Sequence, residues 1–349
     1  MNTLPSLRLQ LTRRPFGLCG IALCLAAAGC GAGSNDVVGS GGSGTCVAPL
    51  SFYSGPVSAR TGLTILVDDV AFDLRGPRVA DCSAAIVVDY DTGAMVSSDL
   101  LQPGMGLDVF NIGVNTAADG TRSAGASLVY LHDDVIGTVE SVDVAASTLK
   151  VLGQTVSSNA STVYAGATDL SGLAPGQAVR VYAVYDQAAS AYRATRIEAL
   201  TSPPSQDSVT GAIAGLDAAG KTFTLGGALV SYAGIAGAST PALANGLVVQ
   251  VHVQAVPQSG TWIATAVATV PTSLGASGDV PDRGIVGIIS QFTNETSFNL
   301  PALQVDARAA TITYAQGAPV KLGVGSHVLV HGRLAAGILV ADTVQVERF

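Results

Sequence analysis

A turn leading into a strand, returning four times, constrains this chain more than any other feature. The first copy reads Leu101, Gln102, Pro103, Gly104, Met105, Gly106, Leu107, Asp108, Val109, and the later copies are centred on Gly176, Gly246 and Gly325. Counted from each glycine, the third residue is Leu107, Val179, Val249 or Val328, and the fifth is Val109, Val181, Val251 or Val330. The fourth is Asp108, Arg180, Gln250 or Leu329. Side chains alternate between faces along a strand, so each copy predicts a strand with one face held apolar and the other left free. The glycines stand 72, 70 and 79 residues apart, which makes the chain an array of four related units.

The rest of each unit is also built of short strands. In the second, Val135 to Val139 begins a strand, Asp143 to Ser147 turns it, and Thr148 to Val151 returns. The third runs Val209 to Ile213, Asp217, then Thr222 to Leu225. In both copies the Asp lies six residues and the Thr eleven residues after the strand glycine, Gly137 or Gly211, which points to common descent. Gly137, Gly211 and Gly287 fall in mid-strand, where glycine marks a bulge or sharp bend. A third short strand is expected at Thr162–Ala165, Val230–Tyr232 and Ala310–Tyr314. A last strand is expected at Ala194–Ile197, Ala264–Val267 and Ala341–Val346.

Five strands per unit with a break after the third is the order of a small OB-like barrel. The fold class is therefore all-β: four tandem five-stranded barrels, with open antiparallel meanders as the alternative. Gly 41 and charged residues at 12% fit short strands and tight turns better than helical bundles. The units cover 50–131, 132–200, 207–270 and 283–349, with Pro-rich joints at Thr201–Ser205 and Pro271–Arg283 that argue for separately folded modules. Units this small are marginal alone, so neighbours are expected to pack together.

Residues 1–29 read as a targeting segment: Arg8, Arg13 and Arg14, then an apolar stretch, Phe16 to Ala28, too short to span a bilayer. It ends Ala27, Ala28, Gly29, Cys30, which resembles the lipobox of bacterial lipoproteins, with Ala27 where that pattern usually has Leu. The resemblance implies acyl chains on Cys30 and, with Gly31 following, an outer-membrane address. An ordinary signal peptide with a chance cysteine is the other reading. Residues 30–49 hold the lipidated cysteine and a Gly/Ser-rich stretch, expected to be a flexible, disordered tether. Without residues 1–29 the chain has 14 Lys+Arg against 25 Asp+Glu (17 − 3 = 14), a balance that repels nucleic acid and anionic lipid. Cys46 and Cys82 then remain as a candidate disulfide, with two buried thiols or a redox pair as alternatives.

The whole pattern of lipobox, tether, Ser54-Gly55-Pro56 start and Pro-Gly turns before Val-x-Val strands resembles the domain-of-unknown-function 5666 family. That family carries no established activity, so the resemblance implies architecture and location and assigns no catalytic residue.

Candidate chemistry is sparse. His327 and His331, four apart on a strand, stand roughly 13 Å apart and cannot share an ion. His331 falls in the slot of Phe110, Tyr182 and His252, which reads as an exposed or rim position. His132, Asp133 and Asp134 look like an acid/base cluster but read as a solvated joint. Asp89 to Gly93 resembles a calcium loop short of ligands and reads as a hairpin turn. No nucleophile elbow, metal-binding pair or phosphate loop is present, and no cofactor or metal is expected. Tyr182, Tyr185 and Tyr192 could stack on sugars or bases. The leading expectation is a lipid-anchored, non-enzymatic structural or binding array of the cell envelope, with an envelope protein or glycan as partner. The alternatives are a glycan- or peptide-binding adhesin-like module, and an envelope enzyme with a site between repeats gathered around His132.

Overall fold

The computed structural model describes residues 51–76, 84–111, 113–186, 189–236, 242–269, 280–289, 291–300, 303–315, 318–319, 321–335 and 338–346. Cys30, Cys46 and Cys82 lie outside the described residues, as do the targeting segment and tether.

Among the described residues twenty-six strands fall into four groups. The first holds β1 (Ser51–Thr61), β2 (Thr64–Val67), β3 (Val70–Asp73), β4 (Ile86–Asp89), β5 (Met95–Val96), β6 (Gly106–Asn111), β7 (Asn115–Thr116) and β8 (Arg122–His132). The second holds β9 (Val135–Asp143), β10 (Thr148–Val151), β11 (Gln154–Ser157), β12 (Val163–Ala165), β13 (Ala178–Asp186) and β14 (Ala191–Ala199). The third holds β15 (Asp207–Asp217), β16 (Thr222–Leu225), β17 (Ala228–Ser231), β18 (Val248–Val253) and β19 (Trp262–Thr269). The fourth holds β20 (Val280–Ile288), β21 (Gln291–Asn294), β22 (Ser297–Leu300), β23 (Leu303–Asp306), β24 (Thr311–Tyr314), β25 (His327–Ala335) and β26 (Ile338–Val346). Helical structure among the described residues is confined to two single 3-10 turns, Ser98–Leu100 and Leu170–Gly172.

Each group closes on itself. In the second barrel β9 pairs antiparallel with β10 and β10 with β11; β11 pairs parallel with β14, and β14 returns through β13 to β9. The first, third and fourth barrels repeat this order of first, second, third, fifth and fourth strand, back to the first. In the fourth barrel the first strand is broken into β20 and β21. A parallel third-to-fifth pairing between antiparallel hairpins is the OB-type closure, and it removes the open meander from consideration.

The repeated turn is where each barrel shuts. Gly104, Gly176, Gly246 and Gly325 have φ of +85°, +87°, +84° and +83°, and the residue after each glycine bonds back three positions, as in a type II turn. Each glycine N–H donates to a first-strand carbonyl, of Val57, Val139, Ile213 or Ile289, at 2.7–2.9 Å. The same first-strand residue returns its own N–H to the carbonyl just after the glycine at 2.9 Å. The apolar positions beyond the turn, Leu107, Val109, Val179, Val181, Val249, Val251, Val328 and Val330, are all 0% exposed.

Several local expectations are corrected. The third strands of the second and fourth barrels are β11 and β23; Thr162–Ala165 and Ala310–Tyr314 instead contain β12 and β24, extra strands parallel to the fifth. Gly137 and Gly211 lie in regular register with Val179 and Val249, and the ladder irregularities come later, near Val139 and Ala214. Gly137 is small because a Cβ there would meet the Leu152 side chain at 2.7 Å. The opposite strand face is not free either: Gln250 and Leu329 are buried.

For Gln250 that burial comes from barrel-to-barrel packing, since its side chain hydrogen-bonds Asp91 of the first barrel. The barrels lie in one compact unit, packed on one another. First strands pair between barrels: β9 with β15 (Val135 opposite Val209) and β1 with β20 in parallel (Tyr53 opposite Gly284). One continuous core runs through the second and third barrels, from Val139 and Leu152 to Phe223 and Trp262, and Tyr182 of the second barrel is buried in the core of the first.

Candidate functional site

Two residues, Asp133 and Asp134, separate β8 from β9, so the joint cannot swing out into solvent. Its backbone is used on both sides: Asp134 N–H donates to Val181 O at 2.9 Å, and Asp134 O accepts from Thr210 N at 2.8 Å. The Asp134 carboxylate accepts from Ala183 N at 2.7 Å. Asp133 is buried, as is most of His132. The solvated joint expected from three polar residues in a row is therefore the seam of three barrels. The signal missed was length: a two-residue joint between paired strands has no slack.

Beside this seam the first three barrels enclose a cleft of about 170 Å³, lined by Pro56, Gly106, His132, Asp134, Tyr185, Thr210 and Ala212 among others. His132 Nε2 lies 3.7 Å from Asp108 Oδ1. Burial alone would lower the imidazole pKa, but hydrogen bonding to Asp108 and the charges of Asp108, Asp134 and Asp133 raise it to about 9. His132 is thus an imidazolium at neutral pH. Burial pushes Asp134 up to about 6, against the pull of His132 and the Ala183 N–H. The arrangement can hold a proton or anchor a charged group; Thr195, whose hydroxyl is in the same lining, is engaged with the carbonyls of Gly104 and Tyr182 at 2.7 and 3.1 Å.

Behind the joint lies a second charged cluster. Asp91, on the β4–β5 hairpin, meets His252 of the third barrel at 3.5 Å, and Arg180 lies 3.2 Å from Asp133. Burial pushes Asp133 up to about 7, opposed by Arg180 and aided by Asp91. The Asp89–Gly93 segment is a hairpin turn, with Asp89 Oδ1 accepting from Thr92 N at 2.9 Å. It docks on the third barrel by Asp91 and by Tyr90 OH donating to Thr269 O at 2.8 Å. Among the described residues no group of three or more His, Cys, Asp or Glu is placed to hold a metal.

His331, expected at an exposed rim, is corrected to a seam as well. Its Nε2 is 3.1 Å from Asp69 of the first barrel, and Arg122 bridges Asp69 at 3.0 Å and the Tyr53 hydroxyl at 2.6 Å. His327 is half-buried in the field of Arg193, and desolvation first, then that charge, lowers it to about 4. All four histidines of the chain therefore lie where barrels meet.

The tyrosines divide. Tyr182 and Tyr192 are each 1% exposed, so neither offers a ring face to a ligand, contrary to expectation. Tyr182 is buried because it fills the first barrel's core, and Tyr192 because its hydroxyl reaches Thr210 O at 2.8 Å across the seam. Tyr185 alone of the three lines the cleft, its ring 4.9 Å from that of Tyr192.

No curated protein matches the chain. A solved structure described as "drosophila Unr CSD456" is found at 12% identity, covering 62% of this chain and 99% of that one with a TM-score of 0.16, a superposition too loose to carry any argument. Residues 136–198 and 286–345 match the domain of unknown function DUF5666. Those segments fall on the second and fourth barrels, and the first and third repeat their strand order. In its second and fourth barrels the chain is similar to the DUF5666 family, and the match covers about a third of its length.

Proposed function

We propose that this protein is a lipid-anchored component of the bacterial outer membrane whose four barrels form a non-enzymatic structural or binding platform. The observation that carries the platform is the main-chain pairing between barrels, which joins the first to the fourth through β1 and β20 and the second to the third through β9 and β15. The charged residues support the same reading, because His252–Asp91 and His331–Asp69 join one barrel to another. The anchor is supported by the sequence alone: Ala27-Ala28-Gly29-Cys30 followed by a Gly/Ser-rich tether. Two or more acyl chains on Cys30 give stable membrane association, where one gives only reversible binding.

Intact-mass analysis and labelled-palmitate incorporation test the anchor. Wild-type chain is expected in the membrane fraction carrying lipid, and Cys30→Ser in the soluble fraction without it. An unmodified, soluble wild-type chain would refute the anchor. Crosslinking in cells tests the platform, with an envelope protein or glycan expected as the captured partner. A second reading, an envelope enzyme acting from between repeats, is favoured by one observation: His132 sits in a cleft beside Asp108 and Asp134. It requires a turnover that His132→Gln abolishes while the circular-dichroism spectrum of the folded chain is kept.

A further inference from the structure

We propose that the cleft where the first three barrels meet is a binding site for a small organic cation: a primary amine on an apolar body of about six to eight non-hydrogen atoms. The inference does not rest on the membrane anchor. Size comes from the cleft itself, whose volume of about 170 Å³ holds roughly six groups the size of water at ~30 Å³ each. Its walls are mostly apolar, with Pro56 from the first barrel, Val184 and Tyr185 from the second, and Ala212 and Val248 from the third. Such walls suit a hydrocarbon or aromatic body, and the half-buried Tyr185 ring offers a cation a π face.

Charge selects the head group. Two carboxyl groups, Asp134 in the lining and Asp108 behind it, face the single imidazole of His132, and neither Lys nor Arg is among the lining residues. His132 is directed at Asp108, 3.7 Å away, so its charge is already matched. Asp134 is left with the Ala183 N–H at 2.7 Å as its hydrogen-bond donor and one negative charge in excess. Its carboxyl is held up by burial, which is the condition an incoming ammonium relieves. An anion would have to take His132 from Asp108, and a neutral alcohol would leave the Asp134 charge unmatched. Three barrels contribute to the walls, so the site exists only when the modules are assembled.

The test uses the full chain with benzylamine, benzyl alcohol and benzoate, ligands of one shape and three charges, followed by calorimetry and by amide shifts at Ala183 and Gly211. Benzylamine is expected to bind saturably, benzyl alcohol at least tenfold more weakly, and benzoate not at all. Asp134→Asn should lower benzylamine affinity at least tenfold. Ala212→Leu, which fills the cleft and leaves its charges alone, should remove binding of both neutral and cationic ligands and serves where Asp134→Asn fails to fold. Equal affinity for the three, preference for benzoate, no saturable binding, or benzylamine binding that survives Ala212→Leu would each overturn the proposal.

Discussion

Gly104 and Gly246 occupy the same turn with φ of +85° and +84°, yet their surroundings differ completely. A Cβ at Gly246 has nothing within 4 Å, whereas one at Gly104 would lie 2.5 Å from the Thr195 carbonyl oxygen of the second barrel. Gly246→Ala is therefore expected to cost only the backbone strain of a left-handed alanine, about 1–2 kcal/mol. Gly104→Ala should cost that plus about 1–3 kcal/mol for forcing two barrels apart. Urea midpoints of the two variants check this, and equal losses would mean the seam yields freely. The strain at both positions was legible in the sequence as a recurring Pro-Gly or Asn-Gly before an apolar strand. The collision at Gly104 was not, because nothing in residues 101–109 announces that Thr195 packs on them.

At the scale of elements, the internal period of two placed the buried valines of β13, β18 and β25, since alternation is a local property of the chain. The outward positions Asp108, Arg180, Gln250 and Leu329 lack a shared character, and that variety was itself a sign that each faces a different neighbour. Strand count was misread where a short stretch such as Val163–Ala165 has the composition of a third strand but pairs with the fifth; composition does not encode the partner. The shared core of the second and third barrels yields a prediction at this scale. Leu149→Ala in β10 empties a fully buried site, at a cost of about 2–5 kcal/mol. Trp262, the single tryptophan of the chain, reports from β19 in the next barrel. Its fluorescence transition is expected to shift together with the circular-dichroism transition of the whole chain; an unmoved Trp262 transition would show that the two barrels unfold independently.

Four buried or half-buried titratable groups lie at the seams between barrels, and three of them, Asp133, Asp134 and His132, are shifted in the same direction. Asp133 and Asp134, raised to about 7 and about 6, contribute stability that is complete below the ordinary carboxylate range and lost as pH rises through those values. His132, raised to about 9, contributes stability complete below ~6.5 and lost as pH climbs through 9. His327, lowered to about 4, acts oppositely, but its contribution is lost only as pH falls from ~6.5 toward 4. Stability should therefore decline steadily between pH 6.5 and 9, by roughly 1–3 kcal/mol, read as the urea midpoint. His132→Gln should flatten that decline; an unchanged slope would mean that His132 does not hold its proton in the seam. The parallel pairing of β1 with β20 has a further consequence. Ser51–Ser54 sit between β6 and β20, so until the last repeat has been made the earliest strand keeps one bare edge open to any passing polypeptide. A chain cut short by a quarter would not be a smaller version of this protein but a sticky one, because the final repeat is what covers that edge.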